Sequence, residues 1–409
     1  MRVAALAAGL AAASPGRLIA AQSPVQAQVT GQAVIALTHA EPVPGGDGLS
    51  ELRVVQPVVM LRADGPRRIG FLATLNLEGA TIAEGELSPG AWGEGLVDRR
   101  HPHTYAHELM LTADDLLGAA DGITRLSLAA GKGFAPFGTD DPMTRPPLRY
   151  PVNHHLAQIL ERAVAIAAVA HGPLTGEIGL FNGDEPERPG QWPRVGGRFG
   201  DSWALRITAV PVTGVELQGS HAEVRSPEHR QGAGTDQSKW SLSARWEGPL
   251  GGRLSYGLVE WARTSEADGF FVFSSLLAEG AWEAGRHRLH YRFERTSRPE
   301  EQRISRFRTL RPHLENSIFG TTRWTIHTIG YSAPALERGP IGLRPLLEIS
   351  YGRIGKVGGG FFDVEQVYGG NDFWSGTVGL RLALGGGAHR MGRYGAAMSD
   401  DAAHHHREN

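Results

Sequence analysis

The stretch Lys239-Trp240-Ser241-Leu242-Ser243-Ala244-Arg245-Trp246-Glu247 alternates without a break. Trp240, Leu242, Ala244 and Trp246 share one face of an extended chain, and Lys239, Ser241, Ser243, Arg245 and Glu247 share the other. Any half-buried strand shows such alternation. Tryptophan at both ends of the apolar face fits a strand that crosses a bilayer, with an indole at each headgroup level. One strand is weak evidence, so the reading depends on recurrence.

From about Arg162 onward, strand-like runs come in pairs whose connections alternate between short and long. Gly172–Thr175 joins Ala163–Ala170 to Gly176–Phe181, and Pro211–Gly214 joins Ser202–Val210 to Val215–Val224. Gly248–Gly252 joins Lys239–Glu247 to Arg253–Arg263, and Glu283-Ala284 joins Phe270–Trp282 to Gly285–Thr296. A looser turn at Ala333–Gly342 links Thr322–Ser332 to Leu343–Arg353. Between the pairs lie Asn182–Asp201, Arg225–Ser238, Arg298–Gly320 and Gly355–Ser375, with one short exception at Ser265–Gly269. Short turns on one rim and long polar loops on the other are what an outer-membrane barrel requires, whereas a soluble sandwich has no reason to sort its loops by parity.

The faces repeat as well. Leu289, Tyr291 and Phe293 oppose Arg286, Arg288, His290, Arg292 and Glu294; Trp203, Leu205 and Ile207 oppose Ser202, Arg206 and Thr208; Val378, Leu380, Leu382 and Leu384 oppose Thr377, Gly379 and Arg381. No amphipathic helix of any length follows Arg162 to cover an open sheet. In Arg253–Arg263 the apolar phase slips between Leu258 and Val259, which predicts a bulge. In the N-terminal third, Gln32–Thr38, Leu52–Arg62, Ile69–Leu77, Tyr105–Thr112 and Ile123–Gly131 read as strands, Asp114–Gly118 as a turn and His155–Arg162 as a short helix within a loop. With the later ones this makes an all-β, up-and-down antiparallel transmembrane barrel of about 16 strands, with 12 to 18 as the range.

Composition agrees with that class. The 409 residues include 55 glycines and no cysteine, and 43 acidic residues nearly balance 41 basic ones. The lack of cysteine excludes disulfides and thiolate-ligated metals and suits passage through an oxidising periplasm. Nothing in this balance calls for a nucleic-acid partner. Arg2 followed by an Ala/Leu run too short to span a membrane predicts a secretory signal peptide over residues 1–27, cleaved after Ala27, with Ala13 and Ala21 as competing sites. No other run reaches the ~18 to 20 apolar residues of a spanning helix. A closed barrel over residues 28–384 is then the remaining way to cross lipid, and residues 385–409, with His404-His405-His406, are expected to form a disordered tail.

The lumen face supplies the functional candidates. Arg206, Lys239, Arg245, Arg286, Arg288, Arg292, Arg323, Arg344 and Arg381 are expected to line a pore, against Glu216, Glu247, Glu294 and Glu348. Nine cations facing four carboxylates would raise the local anion concentration; the plainer alternative is that they pair and keep the wall wet. Thr139–Glu161, with Asp140, Asp141, Arg145, Arg149, His154 and His155 on a proline-stiffened backbone, is expected to fold inward as a constriction loop, because some 16 strands leave an aqueous channel. The competing reading is a surface loop.

Asp98–Glu108 is the one stretch that tempts toward an enzyme. His103 and His107 are four apart, but the stretch does not match His-Glu-x-x-His, and a strand would hold the two rings too far apart to chelate one ion. No Gly-x-Ser-x-Gly marks a nucleophile. Neither a catalytic residue, a metal nor a cofactor is assigned.

Gly131-Lys-Gly-Phe-Ala-Pro-Phe-Gly138 resembles the phosphate-selective porin O and P family, where a strand of this kind runs into a loop. The likeness continues through Glu161-Arg162, Gly179-Leu-Phe-Asn-Gly183 and Ala204-Leu-Arg-Ile-Thr-Ala-Val-Pro211, covering about Ile123 to Ala222. The resemblance implies a 16-stranded, often trimeric, outer-membrane channel. It does not carry phosphate specificity, because that family's anion pathway relies on arginines and clustered lysines and this chain has only Lys132, Lys239 and Lys356; the Arg-rich Arg298–Arg311 could substitute but is expected to lie outside. The chain also continues some 25 residues past Leu384, where such barrels commonly end on a strand with a terminal aromatic. The expected function is passive diffusion of small hydrophilic solutes across the bacterial outer membrane, with a mild preference for anions. The alternatives are a non-conducting barrel whose loops bind a partner or surface, and a barrel-embedded hydrolase.

Overall fold

The computed structural model describes residues 25–65, 68–81, 103–117, 122–152, 154–186, 188–251, 253–301, 303–305, 308–309 and 318–398. Sixteen long strands form the wall: β1 (Gln26–Glu41), β2 (Leu49–Asp64), β3 (Ile69–Asn76), β4 (Ala106–Leu117), β5 (Thr124–Gly133), β6 (Arg162–His171), β7 (Leu174–Phe181) and β8 (Ser202–Val212). They continue with β9 (Val215–Val224), β10 (Gln237–Leu250), β11 (Arg253–Glu266), β12 (Phe271–Ala284), β13 (His287–Glu301), β14 (Ile318–Ser332), β15 (Ile341–Gly360) and β16 (Asp372–Leu384). Each pairs antiparallel with its sequence neighbours, and the three-residue strand Leu336–Arg338 adds to the base of β15. β16 closes on β1 in unbroken register from Gly31↔Leu384 to Glu41↔Trp374. Closure removes every sheet edge, the condition for placing strands in lipid.

Alternation sets the two surfaces. In β10, Trp240 and Leu242 are 51% and 55% exposed on the outside, while Lys239 and Ser241 are 5% and 0% exposed within. Exposed Leu205, Ile207, Val259, Ile329, Ile349 and Val378 extend the apolar belt around the ring. So much contiguous apolar surface makes sense only against hydrocarbon. Outward tryptophans sit near both rims: Trp203, Trp240 and Trp374 toward the long loops, Trp282 toward the short turns.

The connections that follow β3, β5, β7 and β9 leave one rim, and two-residue turns at 172–173, 213–214 and 285–286 close the other. Two local expectations fail. The register of β11 runs without a shift past Leu258 and Val259 on both sides; Leu258 is simply an apolar residue that faces the lumen. Asp114–Leu117 stays within β4, whose pairing to β5 slips between Ala113 and Leu117 instead of ending in a turn.

The barrel is not hollow. Clusters of buried apolar side chains lie inside it, most of them joining wall residues to two segments that enter the bore. One joins Val34, Val58 and Leu346 of the wall to Met143, Leu148 and Met391. A second joins Met110, Ile166 and Phe181 to Phe137, Ile159 and Tyr394. A third sits at the long-loop mouth, where Trp324, Ile326 and Phe373 cover the short helix Val364–Tyr368. That helix is capped by Asp363, which accepts from Gln366 N–H at 3.1 Å, and ends at Gly369 in the left-handed region.

Candidate functional site

Residues 134–161 form the first inward segment. Its root is Gly138, whose N–H donates to Ser220 Oγ at 2.9 Å and whose carbonyl accepts from Arg206 and Gln218. Gly138 also bridges to Gln158, so both ends of the segment meet at the same wall. Only glycine fits: φ is +68°, and a Cβ would lie 1.6 Å from the Ala157 carbonyl oxygen. Gly138→Ala should therefore strain the root by about 1–3 kcal/mol, lowering the thermal unfolding temperature and raising single-channel conductance. Unchanged melting and conductance would show that the root adapts.

Beyond the root, the segment spans the bore. Met143 and Leu148 carbonyls accept from Gln32 and Gln56 of β1 and β2 at 2.9 and 3.0 Å. On the far side, Leu148 and Arg149 N–H donate to Glu348 of β15 at 2.8 and 3.1 Å, and Val152 N–H donates to Glu294 of β13 at 2.7 Å. Gln56 is aimed inward by a bulge in β2, where Gln32 pairs with Val58 but Val34 pairs with Val55. Arg145 lies 3.6 and 3.9 Å from Glu260 and Glu279, and Arg149 lies 3.5 Å from Glu294. Buried guanidinium groups need such partners.

The wall charges differ from the sequence expectation in three ways. Arg323 lies outside the lumen, sharing the outward face of β14 with His327, Ile329 and Tyr331; the apolar Trp324 and Ile326 face inward because a folded loop covers them there. Arg286 sits in the turn between β12 and β13, exposed, with its guanidinium on the Ala335 carbonyl. The carboxylates were also undercounted: Glu108, Glu177, Glu260 and Glu279 are all buried on the lumen side. Alternation held the signal for Glu177, between outward Ile178 and Leu180 on one side and Gly176 on the other, and for Glu260, between Val259 and Trp261.

Most of the remaining cations are matched. Arg206 makes a two-pronged pair with Glu177 at 2.5 and 2.7 Å, Arg292 meets Glu279 at 2.6 Å, Arg288 meets Glu283, and Arg245 meets Asp140 and Glu247. Lys239 donates to the His155 carbonyl at 2.9 Å. Arg344 and Arg381, opposite one another in the β15–β16 register, have no ion pair among the described residues, and Arg381 Nε is buried without a hydrogen bond.

A histidine–carboxylate group occupies the upper lumen. A bulge in β4 sets Glu108 opposite Thr74 but Ala106 opposite Leu75, so adjacent His107 and Glu108 are both turned inward. His107 Nδ1 donates to Glu161 at 2.6 Å, and its Nε2 lies 3.6 Å from Asp141. His103 donates to Glu78 at 2.9 Å, and its ring lies 5.2 Å from that of His107, closer than a continuous strand would hold them. His154 stacks on Tyr150 with ring centroids 5.3 Å apart. Among the described residues no three His, Asp or Glu side chains are placed to hold a metal; residues 98–102 of the candidate stretch lie outside the described ones. Burial alone would raise the Glu161 carboxyl, but the His107 hydrogen bond and charge, with Lys132, bring it down to about 2. Its contribution to stability is thus complete above about pH 4.5 and is lost as pH falls through about 2.

The second inward segment is one the sequence expectation missed. Of the disordered tail expected over residues 385–409, residues 385–398 instead turn back into the bore from the short-turn rim, while residues 399–409 lie outside the described ones. Arg390 meets Asp140 at 2.7 Å and Glu216 at 3.0 Å, Arg393 meets Glu216 at 3.0 Å, and Tyr394 donates to Glu108 at 2.7 Å. Burial would raise the Asp140 carboxyl, but Arg390, Arg245 and Arg393 outweigh it and hold the group well below the usual carboxylate range. The spacing Arg390-x-x-Arg393-Tyr394 and the preceding Gly385-Gly-Gly387 were visible, but nothing local pointed them inward.

Fold and site together define a transmembrane β-barrel of the porin architecture, with a charged lumen entered by two segments. Among solved structures, the chain is similar to an anion-selective porin from Comamonas acidovorans, with a TM-score of 0.55 and 10% identity over 88% of this chain and 100% of that one. It is also similar to a loop L8 deletion mutant of OmpT, an outer membrane protein of Vibrio cholerae, with a TM-score of 0.50 and 11% identity over 88% and 100%. At such identities the likeness is one of fold. No protein-family model and no curated protein matches the sequence, so the narrower resemblance to the phosphate-selective group rests on the motifs quoted above.

Proposed function

We propose that this chain is an outer-membrane channel for passive diffusion of small hydrophilic solutes, its long loops outside and its short turns in the periplasm. The observation that carries the reading is the closed 16-strand wall, apolar outward and charged inward, with residues 134–161 crossing its bore. A soluble or purely adhesive barrel has no need of a lumen lined with Glu177, Arg206, Glu279 and Arg292. In this reading Asp140, Asp141, Arg145, Arg149, His154 and His155 belong to the constriction, and the N-terminal residues act as the secretory leader. Insertion into planar bilayers tests it: discrete conductance steps are expected. Clean insertion without steps would favour a loop-binding barrel instead. The trimer implied by the family resemblance would show as steps grouped in threes.

A mild anion preference forms part of the proposal, but on a narrower footing than nine wall cations. The field comes from Arg344 and Arg381, which lack ion-pair partners among the described residues. A unit charge a few ångströms from a water-filled path is worth about 1 kcal/mol. Arg344→Gln with Arg381→Gln should lower the chloride-to-potassium permeability ratio roughly three-fold or more, read from reversal potentials in asymmetric potassium chloride. A ratio unmoved by the double change would place the selectivity elsewhere.

A further inference from the structure

We infer that residues 388–397 are an internal plug, bound in an acidic pocket of the lumen wall and released as a unit to open the short-turn mouth, and that the vacated pocket binds arginine-bearing peptides. The inference rests on the channel reading above.

The chain is built to return. β16 ends at Leu384 and is followed by Gly385, Gly386 and Gly387 at φ of 62, 97 and 96°, a run of left-handed backbone that glycine alone adopts at ease. The turn delivers Arg390 and Arg393 to Asp140, Glu177 and Glu216, carboxylates from three different parts of the fold. Backbone groups join the grip: Gly392 N–H donates to Glu108 at 3.1 Å, the Gly392 carbonyl accepts from Arg206 at 2.8 Å, and Ala396 N–H donates to Ser127 Oγ at 2.7 Å. Tyr394 receives the Phe134 N–H at 3.0 Å, tying the plug to the first inward segment.

These contacts are those of a ligand in a site, not of another stave of the wall. No residue from Gly385 to Met398 belongs to a strand, and the hold is made of ion pairs, hydrogen bonds and three apolar anchors, Met391, Tyr394 and Ala396. A cavity of about 540 Å³ opens at the short-turn side against Arg390, Ala396 and Ala397, leaving the plug reachable from that side. With the plug gone, Asp140 and Glu216 lose two arginines, so the mouth turns acidic while widening.

The experiment compares the full chain, a chain lacking residues 388–409, and a Ser127→Cys/Ala396→Cys form, which in a cysteine-free protein makes a single reducible lock. Conductance in planar bilayers is expected to rise several-fold on deletion, with a shift toward cations, and to fall on oxidation of the lock and recover on reduction. Equal conductance in all three forms would overturn the plug. A fluorescent synthetic peptide of residues 388–398 should bind the deleted barrel saturably, more weakly at high salt and after Glu216→Gln. No binding would overturn the pocket. Peptide binding without conductance in any form would keep the pocket and remove the channel reading on which plug release depends.

Discussion

Replacing Arg206 by methionine should destabilise the barrel by about 3 kcal/mol, the lower end of what breaking a buried ion pair from one side removes. Arg206 is the hub of the lumen. Its guanidinium meets Glu177 through two nitrogens, the Gly138 carbonyl at the root of the first inward segment, and the Gly392 carbonyl of the second. Methionine keeps much of the volume, so the loss falls on Glu177, which among the described residues is left with only Arg393 at 3.5 Å. Urea titration of the protein folded into lipid vesicles measures the effect. Glu177→Gln placed on top should recover part of the loss, since a neutral amide tolerates burial better than an unpaired carboxylate. In a chain without residues 388–409 the same change should do more harm, because Arg393 is then absent too. Simple additivity of the two changes would mean that the returning segment does not share the Glu177 charge.

The second large effect concerns the outer surface. Leu242, 55% exposed near mid-height of β10, faces the region assigned to hydrocarbon. Arginine there should reduce folding stability by about 2–4 kcal/mol in bilayers. At Ser243, the next residue and on the other face, arginine should change it by less than about 1 kcal/mol, as is usual for wetted positions. Equal penalties at the two positions would contradict the inside–outside assignment of the whole strand. Because β10 pairs without register shifts on both sides, such a failure would pass to β9 and β11.

The later strands were legible because each has one apolar and one polar face. In Trp203-Ala-Leu-Arg-Ile and Lys239–Glu247 the outward set is unmistakable, and the structure exposes Trp203, Leu205, Ile207, Trp240 and Leu242 as that alternation requires. The five N-terminal strands were located, but their faces could not be told apart. Ala33-Val-Ile-Ala-Leu37 and Val54–Leu61 are apolar on both faces, because Val34, Ala36, Val55 and Val58 pack inward on Met143, Leu148 and Met391. The same cause misplaced Arg323, expected in the lumen: its apolar neighbours Trp324 and Ile326 face inward instead and cover the helix Val364–Tyr368 at the mouth. An apolar residue in a barrel strand signals that it is shielded from water, not by what.

The sequence by itself determined the strand periodicity, the alternation of short and long connections and, through both, a closed barrel of about 16 strands. These are local quantities, since period and turn chemistry are set by residues a few positions apart. Only the tertiary structure decided what fills the bore. Asp140 finds Arg245 and Arg390, Glu348 receives the Leu148 and Arg149 amides, and Tyr394 reaches Glu108 across 286 positions of chain. Pairing of buried charges depends on which segments closure brings together, and that information resides in the ring as a whole. The excess expected from nine lumen cations facing four carboxylates, counted along the strands, was therefore largely neutralised by partners that no single strand could show.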